Sequence, residues 1–382
     1  MKVLVGLSGG VDSAVAALRL KEQGYEVTCA FMRNWDSLAN NDILGNPNIM
    51  DDVCPQEKDY LDAKKVADQL ELPLLRVDFV KEYWDHVFTK FLDEYAKGRT
   101  PNPDILCNKY VKFDAFLNFA LENGFDMVAT GHYARVDHEN DFSYMLRGVD
   151  SNKDQTYFLC QISQNALQHT LFPIGDLEKS EVRRIAADAD LIIADKKDST
   201  GICFIGERNF KQFLQNYLPA KNGIIVDINT LEKVGEHQGV LYYTIGQRKG
   251  MGIGGDHGPY FVVGKDVEKN ILYVANDEEN QWLLADSCLV SGVNWMDKEK
   301  FKGELEVSAK FRYRQHDNDV KIRFIDETTI FVQCNTPVKA ITSGQEAVFY
   351  RGDICLGGGV IEDVFYQGKS LEERIEERVK RK

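Results

Sequence analysis

The sequence has no apolar run near the roughly 18 residues that a membrane-spanning helix needs. Its opening apolar stretch, Val3 to Leu7, is too short for the core of a secretory signal. No membrane partner is expected, and a cytoplasmic location is. Net positive charge is also lacking, since 60 acidic residues outweigh 46 basic ones for a formal charge of −14. That balance excludes a nucleic-acid binder working by bulk charge. It leaves room for a local basic surface: Lys310, Arg312, Arg314, Lys321 and Arg323 gather in one stretch, and Arg248-Lys249 form another. The plain reading of such runs is a solvated face. The eight cysteines contain no C-x-x-C pair, and the closest two are Cys334 and Cys355. Zinc-ribbon and common iron–sulfur spacings are therefore excluded, and neither zinc nor a cluster is expected. Reduced thiols are the expectation for a cytosolic chain. Cys29 and Cys160 sit in apolar runs and read as buried fillers. There is no internal repeat and no low-complexity tract.

What is present is an ordinary globular composition, 43% hydrophobic and 28% charged over 382 residues, long enough for two or three domains. Residues 1–134 alternate short apolar runs with helical patterns. Strands are expected at Lys2–Leu7, Glu26–Met32, Leu74–Phe79 and Asp126–Thr130, with helices near 12–22, 57–70, 82–97 and 110–122. Gly24 and Gly124 stand where helix C-caps belong. This alternation predicts a Rossmann-like parallel α/β sheet with helices on both faces. Ligands bind such sheets beyond the carboxyl ends of the strands. Segment 36–53 is polar and reads as a mobile loop. Helices are expected near 163–170 and 179–189. From about 220 onward short β-rich runs take over, at 223–228, 240–245, 260–264, 271–275, 304–313, 320–325, 329–334, 346–350 and 354–361. The expected division is an α/β domain over 1–208, a small β-rich domain over 209–280, a C-terminal β-barrel over 281–370 and a charged tail over 371–382. The tail has helical spacing and is expected to fray.

Gly6-Leu7-Ser8-Gly9-Gly10-Val11-Asp12-Ser13 carries the most specific signal. A strand, a Gly-rich turn and a helix N-terminus together make an anion site, with backbone N–H groups and the helix dipole both favouring negative charge. Gly9 and Gly10 let backbone approach a phosphate, and Ser8 and Ser13 add hydroxyls. Asp12 fits a phosphate cradle as a contact for accompanying Mg²⁺. No Gly-Lys-Ser/Thr follows, so this is not a Walker A loop. It resembles the Ser-Gly-Gly-x-Asp-Ser pyrophosphate loop of enzymes that split ATP into AMP and pyrophosphate.

Two cysteines lie in informative settings. Cys107 follows the extended stretch Pro101-Asn102-Pro103-Asp104 and precedes a helical pattern near Lys109. A thiol at a helix N-terminus gains thiolate character, and Asp104 is near enough in sequence to carry a proton. A structural loop with a buried thiol remains the alternative. Cys203 sits between Gly201 and Gly206 in a short apolar segment, where a buried strand cysteine is the plainer reading. Two thiols beside an ATP-splitting loop suggest persulfide chemistry, in which one carries an extra sulfur and the other attacks it to leave a disulfide.

These motifs together resemble the tRNA-specific 2-thiouridylase family in its bacterial form. The match also takes in Phe31-Met32-Arg33-Asn34-Trp35, Thr130-Gly131-His132-Tyr133, Lys153-Asp154-Gln155, Tyr243–Gly250 and Arg312-Tyr313-Arg314-Gln315. Ala14 and Arg33 depart from the usual pattern without touching the chemistry. The resemblance implies that Gly6–Ser13, Met32 and Gly131 bind ATP. It implies that Cys203 carries the persulfide, that Cys107 is the nucleophile, and that Asp104 carries a proton. Asn102, Pro103 and Asp104 would contact the target base. His132, Lys153, Asp154, Gln155, Arg312, Tyr313 and Gln345 would contact tRNA. From the residues alone, Lys153–Gln155 read as an exposed helix start, Arg312-Tyr313 as an exposed barrel strand, and His132 as a structural histidine.

The implied reaction adenylates the C2 oxygen of the wobble uridine and then replaces it with sulfur, giving 2-thiouridine, AMP and pyrophosphate. ATP and Mg²⁺ are the implied cofactors. The anticodon loop of tRNA is the implied partner, with a cysteine desulfurase or sulfur-relay protein as donor. Two other readings stay open. An amide-forming ATP pyrophosphatase would use ATP with a carboxylate and ignore tRNA. A tRNA-binding module without catalysis would bind tRNA and leave ATP intact.

Overall fold

The computed structural model describes residues 1–47, 55–198, 201, 205, 208–254, 259–276, 281–297 and 303–380. Cys54 and Cys203 lie outside the described residues. Strands β1 (Lys2–Gly6), β2 (Glu26–Arg33), β3 (Leu74–Asp78), β4 (Met127–Ala129), β5 (Ala134–Glu139), β6 (Phe142–Arg147) and β7 (Thr170–Leu171) belong to the N-terminal half. Five of them form a parallel sheet in the order β3-β2-β1-β4-β7. β1 is central, and its alternation shows why the sheet is covered twice. Leu4 packs with Ala30 and Val128 on one face. Val3 and Val5 pack with Cys29 and Ala129 on the other, beneath the Val11–Glu22 helix. Strands buried on both faces read as continuous apolar runs, which is what made them visible.

The middle of the chain forms a four-stranded sheet of β8 (Gly223–Asp227), β9 (Lys233–His237), β10 (Phe261–Asp266) and β11 (Ile271–Ala275), in the order β10-β11-β8-β9. β12 (Leu284–Trp295), β13 (Glu304–Lys310), β14 (Asn318–Phe324), β15 (Ile330–Lys339), β16 (Glu346–Arg351) and β17 (Ile354–Tyr366) close into a barrel, because β12 pairs with both β15 and β17. The short β18 (Lys369–Ser370) pairs with β17. The β5–β6 hairpin, which the sequence reading did not foresee, leaves the N-terminal half and adds to the barrel sheet through Leu146 opposite Ile354 and Met145 opposite Cys355. No described helix is long and apolar enough to cross a membrane.

Several expectations need correction. The helix expected near 82–97 is present, and the structure adds a π-helical turn over Trp84–Phe88 between Val80–Tyr83 and Thr89–Ala96. The helix expected from about 110 begins at Pro103 and runs through a π-helical stretch, Asn108–Ala115, into Phe116–Glu122. Asn102 caps it, its side chain accepting from the Asp104 N–H at 3.2 Å, with Pro103 in the first turn where its missing N–H costs nothing. The run at 240–245 holds a 3₁₀ turn, Val240–Tyr242, and not a strand. Within the polar loop, residues 36–47 are built around Asp36 and Asp42. Asp42 is fully buried and pairs with Arg208 at 2.7 Å, and it accepts from Trp35 Nε1. The tail is docked: Leu371–Lys380 is a helix whose Ile375 Cδ1 fills the space over Gly264, 2.2 Å from where a Cβ would stand.

Candidate active site

A cavity of about 500 Å³ opens beyond the carboxyl ends of β1, β2 and β4. Gly6, Leu7, Ser8, Gly10, Val11, Asp12 and Ser13 line it, with Met32 from the end of β2 and Gly131 from just after β4. Gly9 does not. Its φ is +77°, and a Cβ there would lie 2.3 Å from the Asp59 carbonyl oxygen, so it lets the loop pack closely against the Pro55–Gln69 helix. Ser13 Oγ donates to the Gly10 carbonyl and accepts from the Ser8 N–H, both at 3.1 Å. Gly10 is the N-cap and has no side chain to satisfy the first-turn N–H groups, so these remain for an anion. Gly131 presses on this turn: a Cβ there would lie 2.7 Å from the backbone of Asp12 and Ser13.

Asp12 is held by partners that no sequence motif announced. Lys179 Nζ donates to both of its carboxylate oxygens, at 2.7 and 2.9 Å, and Tyr133 Oη donates to Oδ1 at 2.7 Å. Lys179 also pairs with Asp198 at 2.8 Å, and Lys153 and Arg183 pair with Asp198 as well. Burial raises the Asp198 carboxyl, but the bonds from Lys153 and Lys179 outweigh it and hold the pKa at about 2. Burial and the neighbouring Asp12 push the Tyr133 phenol far up, so it stays a donor. Among the described residues no group of three His, Cys, Asp or Glu is placed to hold a metal. Both Asp12 carboxylate oxygens are thus taken up by donors within the chain.

The opposite wall comes from the Pro103–Glu122 helical run. Asp104, Asn108 and Lys112 stand four residues apart and all line the cavity, the spacing that puts side chains on one helical face. Cys107 lies on the neighbouring face, is fully buried and does not line the cavity. It sits at the end of the first helical segment rather than ahead of the helix. Dipole assistance to its thiolate is thus weaker than expected, since that effect fades within the first turn. Asn102 and Pro103 are at the helix start, outside the cavity lining.

The residues expected at tRNA scatter into different roles. Lys153, Gln155, His132 and Tyr313 line the cavity, and Tyr313 packs on Phe158 with ring centroids 4.4 Å apart. Asp154 is buried and accepts from the Gly148 N–H and the Thr156 hydroxyl, so it ties a turn. Gln155 Oε1 accepts from the Tyr133 N–H at 2.9 Å. Arg312 lies past the end of β13 and donates to the Ile245 carbonyl and the Thr342 hydroxyl, joining the barrel to the segment after the Val240–Tyr242 turn. Gln345 Nε2 donates to the Thr100 carbonyl at 2.7 Å, joining barrel to the loop before Asn102. His132 is buried; Thr130 Oγ1 lies 2.7 Å from its Nδ1 and Lys112 Nζ 3.5 Å from its Nε2. Burial and the Lys112 charge pull its pKa well below the usual value, so the ring is neutral.

Comparison with known proteins bears on the whole chain. Family models match residues 1–207 (described as tRNA methyl transferase HUP domain), 211–276 (tRNA methyl transferase PRC-barrel domain) and 285–361 (aminomethyltransferase beta-barrel domain). The tRNA-specific 2-thiouridylase MnmA of Mycoplasma capricolum is 58% identical over 370 residues, 95% of this chain and 99% of that protein. That of Mesoplasma florum is 58% identical with the same coverage. That of Bacillus anthracis is 52% identical over 371 residues, 97% of each chain. Among solved structures, NMN synthetase from Francisella tularensis aligns over 52% of this chain and 66% of its own, at 18% identity and a TM-score of 0.30.

Proposed function

The chain belongs to the tRNA-specific 2-thiouridylase family, and from that premise we propose that it is a tRNA sulfurtransferase that converts uridine at the wobble position to 2-thiouridine at the expense of ATP. The carrying observation is one cavity whose walls are an anion-binding loop on one side and Asp104 on the other. The family models speak of methyl transfer, whereas the relatives that match over nearly the full length are named thiouridylases. A phosphate cradle beside a carboxylate suits activation of a base by ATP. An anticodon base is already partly unstacked, so drawing it into this space costs less than flipping it from a duplex.

The uracil C2 oxygen is a poor leaving group and needs activation. It attacks the α-phosphorus of ATP, the bond from that phosphorus to the β-phosphate bridge breaks, and pyrophosphate leaves with the electron pair. The N3 proton passes to Asp104. The terminal sulfur of a persulfide on Cys203 then attacks C2 and expels AMP. Cys107 attacks Cys203 Sγ, which frees the sulfur on the base and leaves a Cys107–Cys203 disulfide for an external thiol to reduce. A cysteine desulfurase or a sulfur-relay protein supplies the persulfide sulfur. Asn102–Asp104, His132, Lys153–Gln155, Arg312, Tyr313 and Gln345 are the residues assigned to the base and the tRNA. Buried Cys107 must be uncovered during the cycle, and tRNA binding at the loop before it supplies the occasion.

Cys107→Ser and Cys203→Ser test the assignment. Given wobble-uridine tRNA, Mg-ATP and a persulfide donor, each variant should form no 2-thiouridine while binding tRNA as before. Full thiolation by either one removes the two-thiol mechanism.

A further inference from the structure

The aromatic rings that line the cavity among the described residues fall into two groups. Phe31, His132 and Tyr133 are each at most 9% exposed. Phe158 and Tyr313 are partly open. In the short helix Thr156–Leu159 the other three side chains are buried, and Phe158 alone is left partly open. Apolar surface left open in a concave site marks where a ligand's own apolar surface is to be covered. Tyr313 reaches the same place from the barrel, just past β13. Its ring centroid lies 4.4 Å from that of Phe158, with the planes tilted by 45°. That tilt keeps the two rings from closing flat on each other.

The backbone of Phe158 is tied to the Asp104 wall. Asn108 Nδ2 donates to the Phe158 carbonyl at 2.9 Å, and Asn108 stands one helical turn beyond Asp104 on the same face. The Phe158 N–H donates to the Gln155 carbonyl, also at 2.9 Å. Chemistry calls for a flat partner here. A carboxylate that takes the N3 proton meets uracil at its edge and covers neither face. A base drawn out of an anticodon loop has lost its stacking neighbours, and aromatic side chains replace them. Adenine carries no ring N–H for Asp104 to take, so a platform beside this carboxylate suits uracil rather than the base of ATP.

We propose that Phe158 is the platform on which the extruded wobble uracil stacks, and that Tyr313 is the positioning residue that sets its tilt. This rests on the thiolation reading. The α/β domain then supplies the ring beneath the base and the barrel supplies its buttress. Uracil is held by its face on Phe158 and by its edge at Asp104, which leaves the C2 oxygen free for the α-phosphorus.

The test uses the full-length protein and two transcripts of one tRNA, with uridine or with an abasic residue at the wobble position. Equilibrium binding is measured for both, and for ATP. Phe158→Leu keeps an apolar side chain but loses the π-face. It should weaken binding of the uridine tRNA by about 5–100-fold and leave the abasic tRNA and ATP bound as before. Phe158→Tyr should bind like the wild-type protein. Tyr313→Leu should show the same base-dependent loss to a smaller degree, and Tyr313→Phe should restore it. If Phe158→Leu does not fold, Phe158→Met carries the same comparison. Equal weakening toward both tRNAs overturns the proposal, because a merely structural ring would act without regard to the base. Loss of ATP affinity alone overturns it too, since the ring would then cover adenine, and so does unchanged binding throughout. If the wild-type protein makes no 2-thiouridine from the uridine tRNA, Mg-ATP and a persulfide donor, the functional reading fails and this proposal falls with it. Normal thiolation by the wild-type protein with no base-dependent loss in Phe158→Leu defeats the proposal alone.

Discussion

Lys265 Nζ donates to the carbonyl oxygen of Gly98 at 2.7 Å, so a strand of the central sheet holds the loop that leads into Asn102, Asp104 and Cys107. The barrel holds the same loop from the other side, through Ser343 O to the Thr100 N–H and Gln345 to the Thr100 carbonyl. Burial pulls the Lys265 amine down to about 7 from its ordinary 10.5. Between those values the unfolded chain binds a proton that the native chain does not. Stability from this group therefore rises with pH across that window, by about 1.4 kcal/mol per unit at most. Denaturant unfolding at pH 7.5 and 9 should show a smaller rise in Lys265→Met than in the wild-type protein. Equal slopes would contradict the assignment.

Arg208 and Asp42 form a pair with side-chain exposures of 3% and 0%. Removing one partner strands a buried charge. Arg208→Leu should lose about 3–5 kcal/mol of stability by denaturant unfolding. A loss well under 1 kcal/mol would mean that the site is open to water.

Gly131 tests the phosphate loop without altering a side chain. In Gly131→Ala the new Cβ would meet the backbone of Asp12 and Ser13 at 2.7 Å, and backbone cannot swing aside. ATP affinity, read by equilibrium binding, should fall about tenfold or more, a cost of about 1.4 kcal/mol or above. Unchanged affinity would show that the loop is not where ATP sits.

Lys179→Met should also weaken ATP binding, though its charge opposes two carboxylates. Without it Asp12 and Asp198 face the triphosphate with less compensation. Asp12→Asn in the same background should restore part of the affinity. A simple sum of two losses would argue against that electrostatic account.

The phosphate loop was legible because strand, glycines and helix start are contiguous in the chain. The central strands were legible because burial on both faces makes them unbroken apolar runs. The β5–β6 hairpin was not, since Asp137, His138 and Glu139 lie exposed at its end and break the apolar pattern. The start of the Pro103 helix was hidden by the two prolines, which read as extended until the Asn102 cap fixes the turn. Lys112, Lys179 and Asp198 carry no local signature. They become a site through packing between segments far apart in sequence, as do the clamps made by Arg312 and Gln345.

The most direct measurement combines the protein with unmodified tRNA bearing a wobble uridine, Mg-ATP and a persulfide source. The RNA is then digested and examined for 2-thiouridine by mass spectrometry while AMP and pyrophosphate are counted. One AMP and one pyrophosphate for each 2-thiouridine is the expected result. AMP released with no thiolated nucleoside, or thiolation without ATP cleavage, would contradict the account.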